Sequence, residues 1–431
     1  MLPGMDPLLL SLVAFVCGGI AGLLGCAREL DLHTAITGMS IFKSHYYLKT
    51  PAPLSQKLLV GALAIAILAS LLATVVSFNV VTTHVLPHVA LIQAGQGIAA
   101  FAVTVTALIG FVFLFAAYPD NSARTIEMLL KALVIGAAIT AAFALVQFGT
   151  GVDIAAMIRI PGIMKFGDTG VAHGIVREGV VRAQGAAAHA LELSAVLTTI
   201  APIGVALVYS ARAAGRKAWP WALLTIVVIA GSVVTVSRSA FIGLAAAILV
   251  MSWRWPVRRL AGLVAAALGA AAVAAVSGLG VFDAIISTFM GSADDPSLQS
   301  RARGIDYVMA HWTEHFWLGQ GAFTYPLGPE QPVLDNEYLS RLIEGGILGL
   351  LTLIVLMITA IMYAARARNH CDDVPTTELI NGVLGALVAL TVVASVLDVS
   401  AFQQISMVRW LLIVLAGAAW ALVKRNQKVQ T

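Results

Sequence analysis

The chain has 431 residues, of which 59% are hydrophobic and only 11% are charged. A soluble domain carries about twice that charged fraction, so the composition excludes an ordinary soluble protein. Basic residues exceed acidic ones by 26 to 22, for a net charge of +4. This small excess is typical of residues that anchor membrane spans and does not indicate a nucleic-acid partner.

Eleven apolar runs follow one another along the chain, most of them near 20 residues. About 20 apolar residues cross a bilayer core, and a chain in lipid must pair its own backbone groups, which predicts helices. The predicted spans are 8–26, 58–77, 97–117, 126–148, 190–210, 219–236, 240–253, 260–281, 342–364, 376–398 and 407–423. The stretch 30–42 offers a short twelfth span. The predicted fold class is an all-α polytopic membrane protein with eleven or twelve transmembrane helices.

The distribution of Lys and Arg predicts the orientation. Seventeen of the 26 basic residues fall in short loops on one side, which we assign to the cytoplasm. The other side holds nine basic residues, eight of them Arg, together with two long loops at 149–189 and 282–341. Neither long loop contains a cysteine, so no disulfide or cysteine metal site is predicted. Residues 1–431 are expected to form one membrane-embedded domain.

Both long loops contain predicted local structure. In the first loop, β-branched residues flank Arg177-Glu178-Gly179, which favours a short hairpin. In the second, Asp295-Pro296 has the pattern of a helix start. An amphipathic helix on the outer leaflet is predicted after it, with an apolar face formed by Ile305, Val308, Met309, Trp312 and Phe316.

Polar motifs stand at the external ends of the predicted spans. The first is Arg182-Ala-Gln-Gly185, followed by His189, and the second is Ser237-Arg238-Ser239. The third set lies in and after the second long loop: Arg301, Gly319-Gln-Gly321, Asp335-Asn336-Glu337-Tyr338-Leu339 and Glu344-Gly-Gly. Because Arg offers a fixed fork of donors to phosphate or carboxylate oxygens, these arginines predict a site for an anionic group.

In order and spacing, these motifs resemble the superfamily of O-antigen ligases and O-antigen or exopolysaccharide polymerases. The resemblance covers roughly residues 180–350. It includes the Ser-Arg-Ser turn and the distance of eighteen residues from Arg301 to Gly319. The sequence departs from the family at two points: the Pro-Asn expected after Gly185 is absent, and Asp335 stands where ligases have His.

The resemblance implies a metal-independent glycosyltransferase without a cofactor, in the bacterial inner membrane, with its active site facing the periplasm. Its substrate would be an oligosaccharide on undecaprenyl diphosphate, and a chain-length regulator and a flippase would be its partners, besides membrane lipid. The implied catalytic residues are Arg182, Arg238, Arg301 and Asp335. The candidate substrate-binding residues are His189, Arg303, His311, Asn336, Glu337, Tyr338 and Glu344.

Several residues have competing roles. Because an ordinary aspartate carboxylate is a weak base, three other residues are rivals to Asp335 as general base: Glu337, His311 and His189. Asp335-Asn336 fits a helix N-cap equally well, and Glu344 is spaced to pair with Arg341 on one helix face. Arg182 and Arg238 would also serve as structural anchors.

Several functions are compatible with these features. A polymerase that joins lipid-linked repeat units is the leading interpretation, since Asp335 departs from the ligase pattern. The alternatives are a ligase onto lipid A–core, a protein O-glycan transferase and, in another class, a transporter or flippase for lipid-linked glycans. A flippase predicts mid-membrane charges and internal repeats, and neither is apparent in the sequence.

Overall fold

The computed structural model describes residues 122–158, 176–177, 180–235, 237–253, 255–262, 296–320, 325 and 331–430. The predicted spans at 8–26, 58–77 and 97–117, the stretch 30–42 and most of 260–281 lie outside them. The α-helices are α1 (Ser122–Thr150), α2 (Ile154–Met157), α3 (Ala190–Ala213), α4 (Trp219–Val234), α5 (Arg238–Ser252), α6 (Pro296–His311), α7 (Glu337–His370), α8 (Val374–Val393) and α9 (Gln403–Gln430). Short 3-10 helices occur at Trp312–His315 and Val399–Ala401.

The described residues form a helical bundle, as predicted. Seven predicted spans coincide with α1, α3, α4, α5, α7, α8 and α9. Five of these helices (α1, α3, α7, α8 and α9) are long and apolar enough to cross a membrane. The chain is therefore an all-α, multi-pass membrane protein. The total of eleven or twelve spans stays a prediction.

Helices α3 and α8 occupy the centre of the described bundle. The most apolar stretch of α3 is 89% buried within the protein, against 28% for α7 at the periphery. Small residues let the helices approach closely. A Cβ added at Gly243 of α5 would lie 2.7 Å from Cγ2 of Thr198 in α3. The end of α5 that begins with Arg238 is thereby held against the bundle centre.

Helices α4 and α5 are too short to cross a full bilayer. With 16 and 15 residues, they are about 24 and 23 Å long, against a hydrocarbon core of about 30 Å. At the ends away from their shared turn lie Trp219, Trp221, Trp253 and Trp255, a residue type that favours the membrane surface. We therefore expect the end of α4 and the start of α5 to lie below the opposite membrane surface.

Helix α7 differs from its predicted span. It begins at Glu337 instead of near 342, and Gly346 interrupts it with φ 61° and ψ −164°. Residues 316–320 pack into this break. The Ile347 amide donates to the Phe316 carbonyl at 2.9 Å, and the Gln320 amide donates to the Ile343 carbonyl at 2.9 Å.

The two glycine motifs therefore meet at backbone level. Gly319 has φ 67°, and a Cβ there would lie 2.5 Å from the Gly345 nitrogen. A Cβ at Gly346 would lie 2.5 Å from the Trp317 carbonyl carbon. Only glycine fits this crossing, because a side chain at either position would force the two chain segments apart.

Helix α6 begins at Pro296, as predicted. Val308 is fully buried against Leu334, Leu342 and Ile343, so α6 packs on the start of α7. Other members of its predicted apolar face are exposed, including Ile305, Met309 and Phe316. These side chains are free to meet lipid, and the placement of α6 on the outer leaflet stays a prediction.

The predicted hairpin in the first long loop is present as two paired strands of two residues each. Strand β1 (Val176–Arg177) runs antiparallel to β2 (Val180–Val181), with Val176 opposite Val181 and Arg177 opposite Val180. This register leads the chain directly into Arg182.

Candidate active site

Arg182 is held in place by two neighbouring helices. The Gln147 side chain of α1 accepts hydrogen bonds from the amides of Gln184, at 2.9 Å, and Gly185, at 3.0 Å. The Arg182 side chain is only 6% exposed, and its Nε donates to the Thr235 carbonyl at 3.0 Å. The contact joins two segments 53 residues apart in the chain.

Thr235 lies in the turn between α4 and α5, three residues before Arg238. Ser237 and Ser239, which flank Arg238, are both buried, and their hydroxyls bond to each other at 2.6 Å. Arg182 is therefore hydrogen-bonded to Thr235, three residues before Arg238, which is the first residue of α5. The structure brings these two predicted arginines to one place.

His189 lies at the N-terminus of α3, next to Arg182 and Asp335. Its Nδ1 accepts a hydrogen bond from the Leu191 amide at 3.1 Å. Burial and the Arg182 charge lower the pKa of His189, and Asp335 acts in the opposite direction. The imidazole is therefore neutral at pH 7, and the proton, as assigned from this hydrogen bond, is on Nε2. In this tautomer His189 is a donor through Nε2.

Asp335 is fixed by the residues that follow and precede it. Asn336 caps α7, since its Oδ1 accepts from the amides of Tyr338 at 2.9 Å and Leu339 at 3.2 Å. Leu334 is buried beside Val308. The Asp335 carboxylate is half-buried and accepts no hydrogen bond from any residue the structure describes. Asn336 thus has the predicted N-cap role, whereas Asp335 keeps its oxygens available.

Arg301 approaches the same region from α6. Its Nη2 is 3.5 Å from the Val396 carbonyl, and its Nε is buried without a hydrogen bond to any described residue. Arg303 is exposed on α6. His311 stacks on the Tyr307 ring with the centroids 4.3 Å apart, and its Nδ1 lies 2.8 Å from the Tyr307 carbonyl. Arg301 therefore contacts the same chain segment, 394–397, that binds the Glu337 amide, while Arg303 and His311 belong to the surface and packing of α6.

Glu337 is held by contacts within the protein. It is 0% exposed, and its oxygens accept from Arg409 Nη1 at 2.7 Å, the Ser400 hydroxyl at 2.6 Å and the Ser400 amide at 2.7 Å. Arg341 Nε adds a longer contact at 3.3 Å. A carboxylate with this many internal donors presents no accessible oxygen in this arrangement, so its contacts favour a structural role, and substrate binding by Glu337 stays a prediction.

Two other predicted binding residues are also held by the protein. The Tyr338 hydroxyl donates to the Thr391 carbonyl at 2.8 Å, which ties α7 to α8. Glu344 is buried, and its Oε1 accepts from the Tyr325 amide at 3.2 Å. Arg341 forms its ion pair with Glu337, and the Glu344 charge also acts on Arg341. Tyr338 and Glu344 therefore shape the start of α7 from inside.

Sequence reasoning missed four residues that support the site: Gln147, Asp398, Ser400 and Arg409. Arg409 carried a usable signal, because it lies inside the predicted span 407–423, where a charge needs a partner. Asp398 is the last residue of the predicted span 376–398, where a charge at a span end is ordinary, and Ser400 carried no signal because it follows that span in a short loop. Asp398 accepts from the amides of Ser400 at 3.0 Å and Ala401 at 3.3 Å, and so caps the 3-10 helix.

The assembled group is rich in cationic donors and contains one accessible carboxylate. Arg182, Arg238 and Arg301 suit an anion such as a diphosphate, while Asp335 is able to accept a proton. Among the described residues, no group of three or more His, Cys, Asp or Glu is placed to hold a metal ion.

Residues 223–354 match the family model described as O-antigen ligase. The predicted superfamily of O-antigen ligases and polymerases is confirmed over this segment. The matched segment includes Arg238, Arg301 and Asp335, whereas Arg182, His189 and Arg409 lie outside it. No curated protein matches the chain. The match supports an enzyme with a ligase-like or polymerase-like glycosyltransferase function in a membrane.

Proposed function

We propose that the chain is a polysaccharide polymerase of the bacterial inner membrane. It transfers a glycan from undecaprenyl diphosphate to a hydroxyl of another lipid-linked repeat unit at the periplasmic face, without a metal ion. The observation that carries the proposal is the contact of Arg182 with the turn that precedes Arg238. This contact brings together, beside His189 and Asp335, cationic groups from distant parts of the chain.

The arginines act on the donor. When the bond between the anomeric carbon and the diphosphate oxygen breaks, negative charge develops on the leaving group. Arg182 and Arg238 offer charge-assisted hydrogen bonds to it, and Arg301 has a buried Nε available. Because α4 and α5 are shorter than the bilayer core, their turn lies where water is partly excluded and these contacts are stronger.

Asp335 acts on the acceptor. The acceptor hydroxyl attacks the anomeric carbon, and its proton passes to the Asp335 carboxylate as the new glycosidic bond forms. The rivals are less suited to this step. Glu337 is enclosed by donors, His189 presents a proton on Nε2 instead of a lone pair, and His311 is stacked on Tyr307. His189 is then a donor that helps to orient an oxygen of the substrate.

One alternative has an observation in its favour. The matching family is described as O-antigen ligase, so transfer onto lipid A–core is the second candidate. Polymerisation is preferred because Asp335 replaces the His that precedes Asn in the ligase pattern. The reaction chemistry is the same for both, and only the acceptor differs.

The test is incubation of the purified protein with a lipid-linked repeat unit, with and without lipid A–core and with and without EDTA. A ladder of products on lipid, unaffected by EDTA, is expected. Transfer onto lipid A–core alone would establish the ligase, and movement across vesicles without new bonds would establish a flippase. Loss of the ladder in EDTA, with recovery on adding a divalent cation, would contradict the metal-free mechanism.

A further inference from the structure

Two carboxylates near the start of α7 have opposite environments. Asp335 accepts no hydrogen bond from the described residues, whereas Glu337, two positions later, is enclosed by Arg409, Ser400 and Arg341. Glu337 also donates its amide hydrogen to the carbonyls of Ala394, at 2.9 Å, and Leu397, at 3.2 Å. Both the side chain and the backbone of Glu337 are therefore fixed.

The contacts of Glu337 join α7, α9 and the loop 394–402. Arg409 comes from α9 and donates to Glu337 at 2.7 Å and to Ser400 at 3.1 Å. Arg341 also bonds to the Ser400 hydroxyl. Asp398 lies beside Ser400, and the charges of Glu337, Glu344 and Asp398 all act on Arg341. Arg341 and Arg409 are consequently occupied and are not part of the anion site.

A buried ion cluster contributes little to stability compared with apolar packing, but it specifies one arrangement of the groups around it. Here that arrangement fixes the position of the backbone just before α7. Asn336 caps the helix, and Arg409 and Ser400 hold the Glu337 carboxylate. Leu334 is buried in a separate apolar cluster. Asp335 lies between these fixed points.

We infer that Glu337, with Arg409 and Ser400, is a positioning unit that holds Asp335 in place for proton transfer. This inference rests on the proposed function, because it assigns Glu337 to the placement of the proposed base. It predicts that disturbing the cluster impairs the chemical step while leaving binding of the lipid-linked donor intact.

The first test measures kcat and KM for polymerisation by Glu337→Gln. A displacement of about 1 Å in a reacting group costs about a hundredfold, so kcat should fall by roughly that factor while KM for the donor changes by less than about twofold. Glu378→Gln is the matched control. Glu378 is a buried carboxylate paired with Arg259 at 2.5 Å at the opposite end of the bundle, and kcat should not change.

Milder variants keep the inference testable if Glu337→Gln does not fold. Ser400→Ala leaves every charge in place and removes one hydroxyl, and it should lower kcat less than Glu337→Gln does. Arg409→Lys keeps the charge and should retain more activity than Arg409→Met. Equal kcat for these two Arg409 variants would overturn the role of the cluster charge.

The decisive comparison uses Asp335→Asn with and without Glu337→Gln. If Glu337 acts through Asp335, the double variant should have the same kcat as Asp335→Asn alone. A further fall would show an independent role and overturn the inference. Full activity of Glu337→Gln beside an inactive Asp335→Asn would overturn it while leaving the proposed function standing. Full activity of Asp335→Asn would contradict both.

Discussion

Asp335 and His189 differ in what the fold leaves them free to do. The His189 lone pair on Nδ1 is used to cap α3, since it accepts the Leu191 amide hydrogen. The carboxylate of Asp335 keeps its oxygens, because Asn336 takes the capping role for α7. Of these two candidates, the residue with the weaker intrinsic basicity is therefore the one positioned to accept a proton.

Replacing Asp335 with Asn should lower the rate of polymerisation by about a hundredfold or more, because general bases contribute about that much. Asp335→His restores a proton acceptor and should retain a measurable part of the rate. The rate of ladder formation, normalised to protein in the membrane, provides the measurement. A wild-type rate in Asp335→Asn would show that another group takes the proton.

The pH dependence of stability offers a test at Asp398. Burial, with the Glu337 carboxylate nearby, raises the pKa of Asp398 to about 6. Since the ordinary value is near 4, the stabilising effect of the protonated form is fully present below about pH 4 and is lost as pH rises through about 6.

Asp398→Asn keeps an acceptor for the Ser400 and Ala401 amides and cannot ionise. The thermal midpoint of the variant minus that of the wild type should therefore be larger at about pH 7 than at about pH 5. Thermal unfolding in detergent, followed by tryptophan fluorescence, measures it. A difference independent of pH would mean that Asp398 has an ordinary pKa in the folded protein.

At the level of elements, the sequence predicted the existence of helices better than their details. Apolar runs located the seven helices that coincide with predicted spans, because a lipid environment demands continuous backbone pairing. The break in α7 was not predicted, since Gly345 and Gly346 sit at the start of an apolar run that reads as continuous. Its cause is tertiary: the backbone of residues 316–320 supplies the missing hydrogen-bond partners.

Gly346→Ala should destabilise the protein, because its backbone conformation is almost restricted to glycine and costs about 1–3 kcal/mol in other residues. A Cβ would also strike the Trp317 carbonyl carbon. The neighbouring variant Gly345→Ala is the matched control, since a Cβ there meets nothing within 4 Å. A lower thermal midpoint is expected for Gly346→Ala alone, and equal midpoints would contradict the account of the crossing.

At the level of the whole molecule, the site is a product of the bundle. Arg182, Arg238, Arg301 and Asp335 come from four segments, and the resemblance to a family identified them, while the structure adds the contact of Arg182 with Thr235. The supporting contacts were not predictable, because Glu192 of α3 accepts the Gln404 amide hydrogen at the start of α9, 212 residues away. Such pairings depend on which helices are neighbours, and the residue pattern of a single sequence does not reveal this.

The central claim is that Arg182 and Arg238 bind the diphosphate of the donor. Polymer length and amount should be measured for Arg182→Ala and Arg238→Ala, with Arg216→Ala, an exposed cation paired with Glu127 at the opposite end of the bundle, as control. With equal amounts of each protein in the membrane, we expect no polymer from the first two variants and normal polymer from the control. Normal chain length in either Arg182→Ala or Arg238→Ala would contradict the claim.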